Sequence, residues 1–484
     1  MPAMRAVLGC AATALFGTCY GAVIDQRDTT PTCQETQVLI LEPYLDSGII
    51  EAELNHREVF STDEDNQAKI YHVENTYSNY SSILTYNETG YTDYTSLFDD
   101  YEDAYATVEQ DAGTILTENL LDRNIATAFT LAGWQPRRDP AKQAIDWWEW
   151  DWEWSFPPDQ TSEVFGIVNY NTTFYQYSEA NNYVFDSRGF NTIVKGLASE
   201  YLEPDDPRLL LNTIVTNITH AADSVTVHSS DGRCFRARHA ICTFSLGVLQ
   251  AAHAGAAPVS FHPAFPAWKQ AAIAGIAMGI YTKIFLQFDP AEQFWDEGTQ
   301  FFLYASPTTR GYYPLWQSLS GPGFIPGSGI LFVTVVDEQS RTVEAQDDET
   351  TLQQVLVVLR EMFGADKVPY PKAFMYPRWG QVPWAFGSYS NWPPGVTLEQ
   401  HQNLRANVGA LWFAGEATHP EYYGFLQAAY FEGQRVGWDV AECLKGGRCP
   451  SEVNYKTLHG TTNASQYSEV NGWEVTSFQT IGDV

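Results

Sequence analysis

Hydrophobic and polar positions divide this chain into short apolar runs and amphipathic stretches in irregular alternation. The apolar run VLIL at 38–41 reads as a buried first strand. Glycines opening a helix are expected next, but Glu42 and Pro43 follow, and then the aperiodic polar stretch STDEDNQAK at 61–69. Pro43 has no N–H to give to a central strand or to a phosphate. Residues 94–121 follow a helical period and are acidic. IDWWEWDWEW at 145–154 mixes spacings of two with spacings of three to four, so helix and strand both stay open for 141–154, which Pro157-Pro158 closes. A helix over 189–202 follows the strand and turn NYVFDSRG. Strands are then predicted at 209–218, 224–228, 234–237 and 240–244, an antiparallel meander turning at Asp231-Gly232. Further strands fall at 283–288, 301–305, 330–336 and 411–415. Helices are predicted at 350–363, with Leu352, Leu356, Leu359 and Phe363 on one face, and at 427–444, ended by Gly446-Gly447. This alternation predicts an α/β fold of two interleaved domains.

Composition adds a compartment and removes some partners. Residues 1–21 have a short basic start, an apolar run and small residues near Gly21, the pattern of a secretory signal. No later run offers about 20 uninterrupted apolar residues, so no membrane span is expected. Sequons at Asn79, Asn87, Asn171, Asn217 and Asn463 fit a secreted, extracellular glycoprotein. Outside the signal the cysteines are Cys33, Cys234, Cys242, Cys443 and Cys449. Cys443 with Cys449 is a plausible small-loop disulfide, and Cys242, in the apolar HAICTF, reads as a buried thiol. With neither CxxC nor HExxH, a metal site has little support. The formal charge of −32 makes nucleic acid an unsuitable partner, attracts cations such as polyamines, and also serves plain solubility.

The chemistry concentrates in LWFAGEATHPEYYGFLQAAYFEGQR at 411–435. An apolar strand closes on Gly415. Glu416 stands at its C-terminal end, where α/β sheets bind ligands and a carboxylate accepts hydrogen bonds from ribityl or ribose hydroxyls. Tyr422, Tyr423, Gly424 and Phe425 lead into a helix whose N-terminal N–H groups favour negative charge. Packing for stability alone accounts for the same strand, loop and helix.

GEAT followed by this aromatic loop resembles the C-terminal signature of flavin-dependent amine oxidases, with secreted polyamine oxidases the nearest resemblance. The likeness runs over 73–444 and includes TFSLGVLQ at 243–250, MGIYTKIFLQF at 278–288 and FMYPRWGQVPWAFGSYSNWPPG at 374–395. It implies an FAD/NAD(P)-binding (Rossmann-like) domain interleaved with an α+β substrate domain. The implied layout is a signal peptide at 1–21, an incomplete N-terminal part of the FAD domain at 22–75, substrate domain at 76–186, FAD domain at 187–255, substrate domain at 256–368, FAD domain at 369–446 and a polar tail at 447–484. By the same resemblance Lys283 holds a water beside flavin N5. Trp379 packs at the isoalloxazine, Val215 contacts the adenine portion, Gly415, Glu416 and Leu426 lie along the cofactor, and Tyr389 and Phe425 sandwich the substrate. An edge lysine or ordinary core aromatics are the structural alternatives.

The implied reaction is hydride transfer from an amine of the spermidine and spermine class to FAD, with dioxygen as the second substrate, giving an aldehyde, a shorter amine and hydrogen peroxide. Asp146, Glu149, Asp151 and Glu153 are candidates to receive distal ammonium groups. Four family features are not located: the G-x-G-x-x-G turn, the acidic residue ending the second strand, the G-G-R turn and the G-A-x-W segment. No G-x-G-x-x-G occurs; Gly321, Gly323 and Gly327 precede no suitable helix, so the usual pyrophosphate cradle is not found. Two other readings therefore stand beside the first. One is a secreted pseudo-enzyme without FAD. The other is a related L-amino-acid or monoamine oxidase, with Arg310 or Arg341 facing a substrate carboxylate.

Overall fold

A computed structural model describes residues 33–41, 70–176, 182–446, 449 and 453–462. The proposed signal, Pro43, the 61–69 stretch and Asn463 lie outside the described residues.

Two sheets carry the molecule. In the first, Gln34–Leu41 and Leu411–Phe413 both run parallel to the long strand Cys234–Cys242, on its two edges. The edge shared with Leu411–Phe413 also pairs, at its other end, with Val225–Ser229, which leads on to Val215–His220 and Ser260–His262. VLIL and LWF are unbroken apolar runs because both faces are covered. Leu39, Leu41, Ala240, Leu411 and Phe413 pack into one cluster, and Val38, Ile40, Ile241, Trp412 and Ala414 into another with Val436 and Val440 of the Leu426–Leu444 helix. The two strands expected at 234–237 and 240–244 are one, and the strand expected from 209 begins at Val215. Gly232 makes the hairpin turn with φ +85°, a conformation free to glycine. Cys33 is disulfide-bonded to Cys234 and Cys443 to Cys449, while Cys242 is a buried free thiol.

The second sheet has seven strands in the order Ala373–Met375, Tyr281–Gln287, Ile330–Val336, Leu315–Ser318, Phe301–Ala305, Ile83–Asn87, Gly90–Tyr91. One face, with Ile284, Leu286, Leu331, Val333, Val335, Phe302 and Trp316, packs on the Asp348–Phe363 helix through Leu352, Leu356 and Leu359. The other meets the acidic Leu97–Thr117 helix and the tryptophan segment.

That segment is a helix whose middle is a π turn: Pro140–Asp146 is α, Trp147–Asp151 is π and Trp152–Trp154 is α again. Its confusing spacing has a simple cause. Trp148 packs on Trp152 with ring centroids 4.7 Å apart, and Trp150 stacks on Trp154 at 3.9 Å. Two i,i+4 pairs offset by two residues look like strand alternation. No helix among the described residues is long and apolar enough to cross a membrane.

Candidate active site

Lys283 is fully buried in the centre of the Tyr281–Gln287 strand. Its Nζ lies 5.6 Å from the Tyr281 ring centroid and 5.3 Å from that of Phe332, so the ammonium is framed by aromatic faces. Tyr281 in turn meets Tyr389 at 5.7 Å. The Tyr389 hydroxyl donates to the Glu153 carbonyl at 2.9 Å, which ties it to the end of the tryptophan helix.

Glu416 gathers the next group. Its carboxylate accepts the Ser390 N–H (3.2 Å) and hydroxyl (2.6 Å), and the Gly424 N–H (2.6 Å). Tyr389, Gly415, Glu416, Phe425 and Leu426 are thereby brought together, since Ser390 and Gly424 adjoin Tyr389 and Phe425. Gly424 has φ +80°, and only glycine makes that bend without strain while turning its N–H inward. The loop is held from behind: the Asn169 amide donates to the Glu421 and Tyr423 carbonyls at 2.7 and 3.0 Å, and the Tyr423 hydroxyl donates to the Phe165 carbonyl at 2.9 Å.

Trp379 is buried and joins the strand of Lys283 through Glu344. The Glu344 carboxylate accepts the Gly380 N–H at 2.9 Å and the Thr282 hydroxyl at 3.5 Å, and burial holds its pKa above the ordinary carboxylate range. Val215 sits apart from these residues. It pairs with Ser229, near the start of Cys234–Cys242, whereas Leu411–Phe413 pairs with that strand's last three residues.

The acids between the tryptophans divide. Arg310 donates to both oxygens of Asp151 and to Asp146, all at 2.6 Å, and the Trp134 N–H donates to Asp146 at 3.0 Å. These two aspartates therefore neutralise an internal guanidinium rather than awaiting a substrate ammonium, which corrects the expectation from sequence. Arg310 is for the same reason not open to a substrate carboxylate, and Arg341 sits 3.8 Å from Asp337. Glu149, half-buried, has its pKa pushed up to about 8 by burial and then by the charge of Glu102. His239 lies with Cys443 and Cys449, ligand atoms within 4.8 Å of one another. The two sulfurs are joined, however, and His239 Nδ1 accepts the Trp412 N–H at 3.2 Å, so this arrangement is not a metal centre.

Sequence reasoning gave no role to Ser390, although it lies in the 374–395 stretch, nor to Asn169 and Glu344. It also missed Arg310 as the partner of the two aspartates, since 159 residues separate Arg310 from Asp151.

The sequence profile of the family "Flavin containing amine oxidoreductase" matches residues 160–441, more than half of the chain. The chain belongs to this family. Polyamine oxidase 7 of Oryza sativa subsp. japonica is 38% identical over 302 residues, 61% of this chain and 61% of that protein. Polyamine oxidase 1 of Zea mays is 36% identical over 326 residues, 66% of this chain and 63% of that protein. The chain thus spans about three-fifths of the length of these curated relatives. A solved structure of putrescine oxidase redesigned in its cofactor binding superposes with a TM-score of 0.63 at 14% identity, covering 90% of this chain and 96% of that one, a likeness of fold.

FAD is the cofactor of this family. The chain's residues suit its ring end. Lys283 is a buried amine between the Tyr281 and Phe332 rings. Glu416 closes a strand, and the helix Leu426–Leu444 starts beside it, after Phe425, whose side chain makes no capping bond, so that its N-terminal dipole favours negative charge there. The pyrophosphate end differs: the sequence has no glycine-rich turn, and residues 42–69 lie outside the described residues.

Proposed function

We propose that this chain is a secreted oxidase of polyamines. The observation that carries the reading is the sheet of Lys283. Lys283 is fully buried among aromatic rings and linked through Tyr281 to Tyr389, whose neighbour Ser390 bonds Glu416, a chain of contacts that joins the lysine to the strand-end acid and suits a flavin-side water site. Kinship with proteins named polyamine oxidases supports amines as substrates.

FAD, when bound, supplies the two-electron acceptor for the carbon beside the amine nitrogen. Lys283, Trp379, Gly415, Glu416 and Leu426 would hold it, with Val215 at the adenine end. The chain does the rest by position and exclusion of water. Tyr389 and Phe425 frame the aliphatic chain, and Lys283 keeps a water hydrogen-bonded at the reacting end. Overall, a secondary amine, dioxygen and water become an aldehyde, a shorter amine and hydrogen peroxide.

The disulfides Cys33–Cys234 and Cys443–Cys449 support an oxidising compartment. Among the sequons, Asn171 is buried, with its amide donating to Glu109 and accepting from Tyr105, so glycans belong at the others.

Purified protein that is yellow and releases peroxide with spermidine supports this reading. A colourless preparation, inert after FAD is added, overturns it in favour of an exported scaffold without cofactor, the second reading, which the missing glycine-rich turn favours. The amino-acid oxidase reading loses Arg310 to Asp146 and Asp151, and Arg341 is a half-exposed surface residue beside Asp337.

A further inference from the structure

The face of the seven-stranded sheet that carries Lys283 also carries a carboxamide deep in its wall. Gln317, in the Leu315–Ser318 strand, is 1% exposed, and neither its Oε1 nor its Nε2 has a hydrogen-bond partner. Directly opposed residues in a sheet point the same way. Gln317 is opposed by Phe332 on one side and Phe301 on the other, and Phe332 is opposed in turn by Phe285, two residues from Lys283. Gln317 therefore looks out from the same face as Lys283, two strands over and two residues along, roughly 12 Å away between Cα atoms.

Its surroundings are aromatic on both flanks. Phe332 lies under the Lys283 ammonium. Phe301 packs against Tyr80, Trp148 and Trp152 at 5.9, 5.1 and 5.7 Å. Leu315 and Phe301 belong to one apolar cluster, Leu319 and Phe332 to another, and Gln317 stands at the seam. A buried carboxamide with no partner is costly to a fold and calls for a ligand or water to complete it.

We propose that Gln317 is a specificity residue that binds an inner secondary amine of a linear polyamine. This rests on the polyamine reading of the same site. A secondary amine offers one N–H and, unprotonated, one lone pair. A carboxamide offers the complements of both and no charge, so it recognises that nitrogen without demanding an ammonium. The methylenes on either side then lie along Phe332 and Phe301. Simple diamines have nothing to give Gln317.

The test is calorimetric titration of the full chain, with oxygen excluded and any flavin reduced beforehand so that no turnover occurs, with spermidine and with diaminooctane, a chain of equal length in which a methylene replaces the inner nitrogen. Wild type is expected to prefer spermidine by about 10-fold in Kd. Gln317→Met, nearly isosteric and apolar, is expected to erase that preference through weaker spermidine binding, with diaminooctane within about twofold of wild type. Gln317→Glu keeps an acceptor oxygen and should keep the preference, and it serves as the second variant if the first does not fold. A preference that survives Gln317→Met, one lost in Gln317→Glu, or none in wild type (the amide then holding only water) overturns the proposal. Failure of the oxidase reading has a different signature: wild type shows the preference yet releases no peroxide from spermidine.

Discussion

The two sheets differ in how they relate to chemistry. The seven-stranded sheet is continuous, and one of its faces places Lys283 and Gln317 within an aromatic wall. The other sheet keeps the three parallel strands of a nucleotide-binding core and its strand-end acid, Glu416, but the sequence after its first strand has no phosphate-binding turn. The ring and substrate end of such a site is thus assembled by contacts distinct from those that hold the dinucleotide. One can be complete in a chain whose other is not written in the usual way.

Substitutions test that separation. Lys283→Met should lower kcat for spermidine by roughly 1,000-fold while flavin content stays at the wild-type level, read from peroxide release and visible absorbance. Equal loss of flavin would merge the two ends. Arg310→Met leaves Asp146 and Asp151 buried without their cation and should cost about 3 kcal/mol, measured by urea unfolding. Adding Asp146→Asn and Asp151→Asn should return part of that loss. Glu416→Ala deprives three donors of their acceptor, so about 2 kcal/mol of stability and some retained flavin should go together. A stable, fully yellow variant would show that Glu416 serves neither.

The smallest effect concerns pH. The Glu149 pKa is raised from 4.5 to about 8, so the fold favours the neutral acid. Its contribution to wild-type stability is therefore present below about pH 4.5 and lost as pH rises through about 8. Glu149→Gln cannot ionise. Its Tm should match wild type at pH 4 and exceed it by a margin that grows up to pH 8, and a margin independent of pH would contradict the assignment.

Local patterns were legible where one period ruled. The Phe301–Ala305 and Ile330–Val336 strands stood out as short, nearly unbroken apolar runs buried on both faces, and the helix ending at Phe363 stood out because its buried face repeats at helical spacing. The tryptophan segment was ambiguous because a π turn shifts the phase of its side chains. LWQS at 315–318 gave no signal. It is short, buried on both faces, and Gln317 breaks its apolar run. Of the candidate site, Lys283 and Glu416 were singled out through the motifs that hold them. Ser390, Asn169, Glu344 and the pairing of Arg310 depend on contacts distant in sequence.

One covalent link bears on how the chain withstands cutting. Cys33, just before the first strand, is bonded to Cys234 at the head of the neighbouring strand. A protease that nicks the backbone anywhere between Leu41 and Ile70 therefore yields two fragments that still migrate together under non-reducing electrophoresis. The N-terminal strand stays in its seat until a thiol releases it.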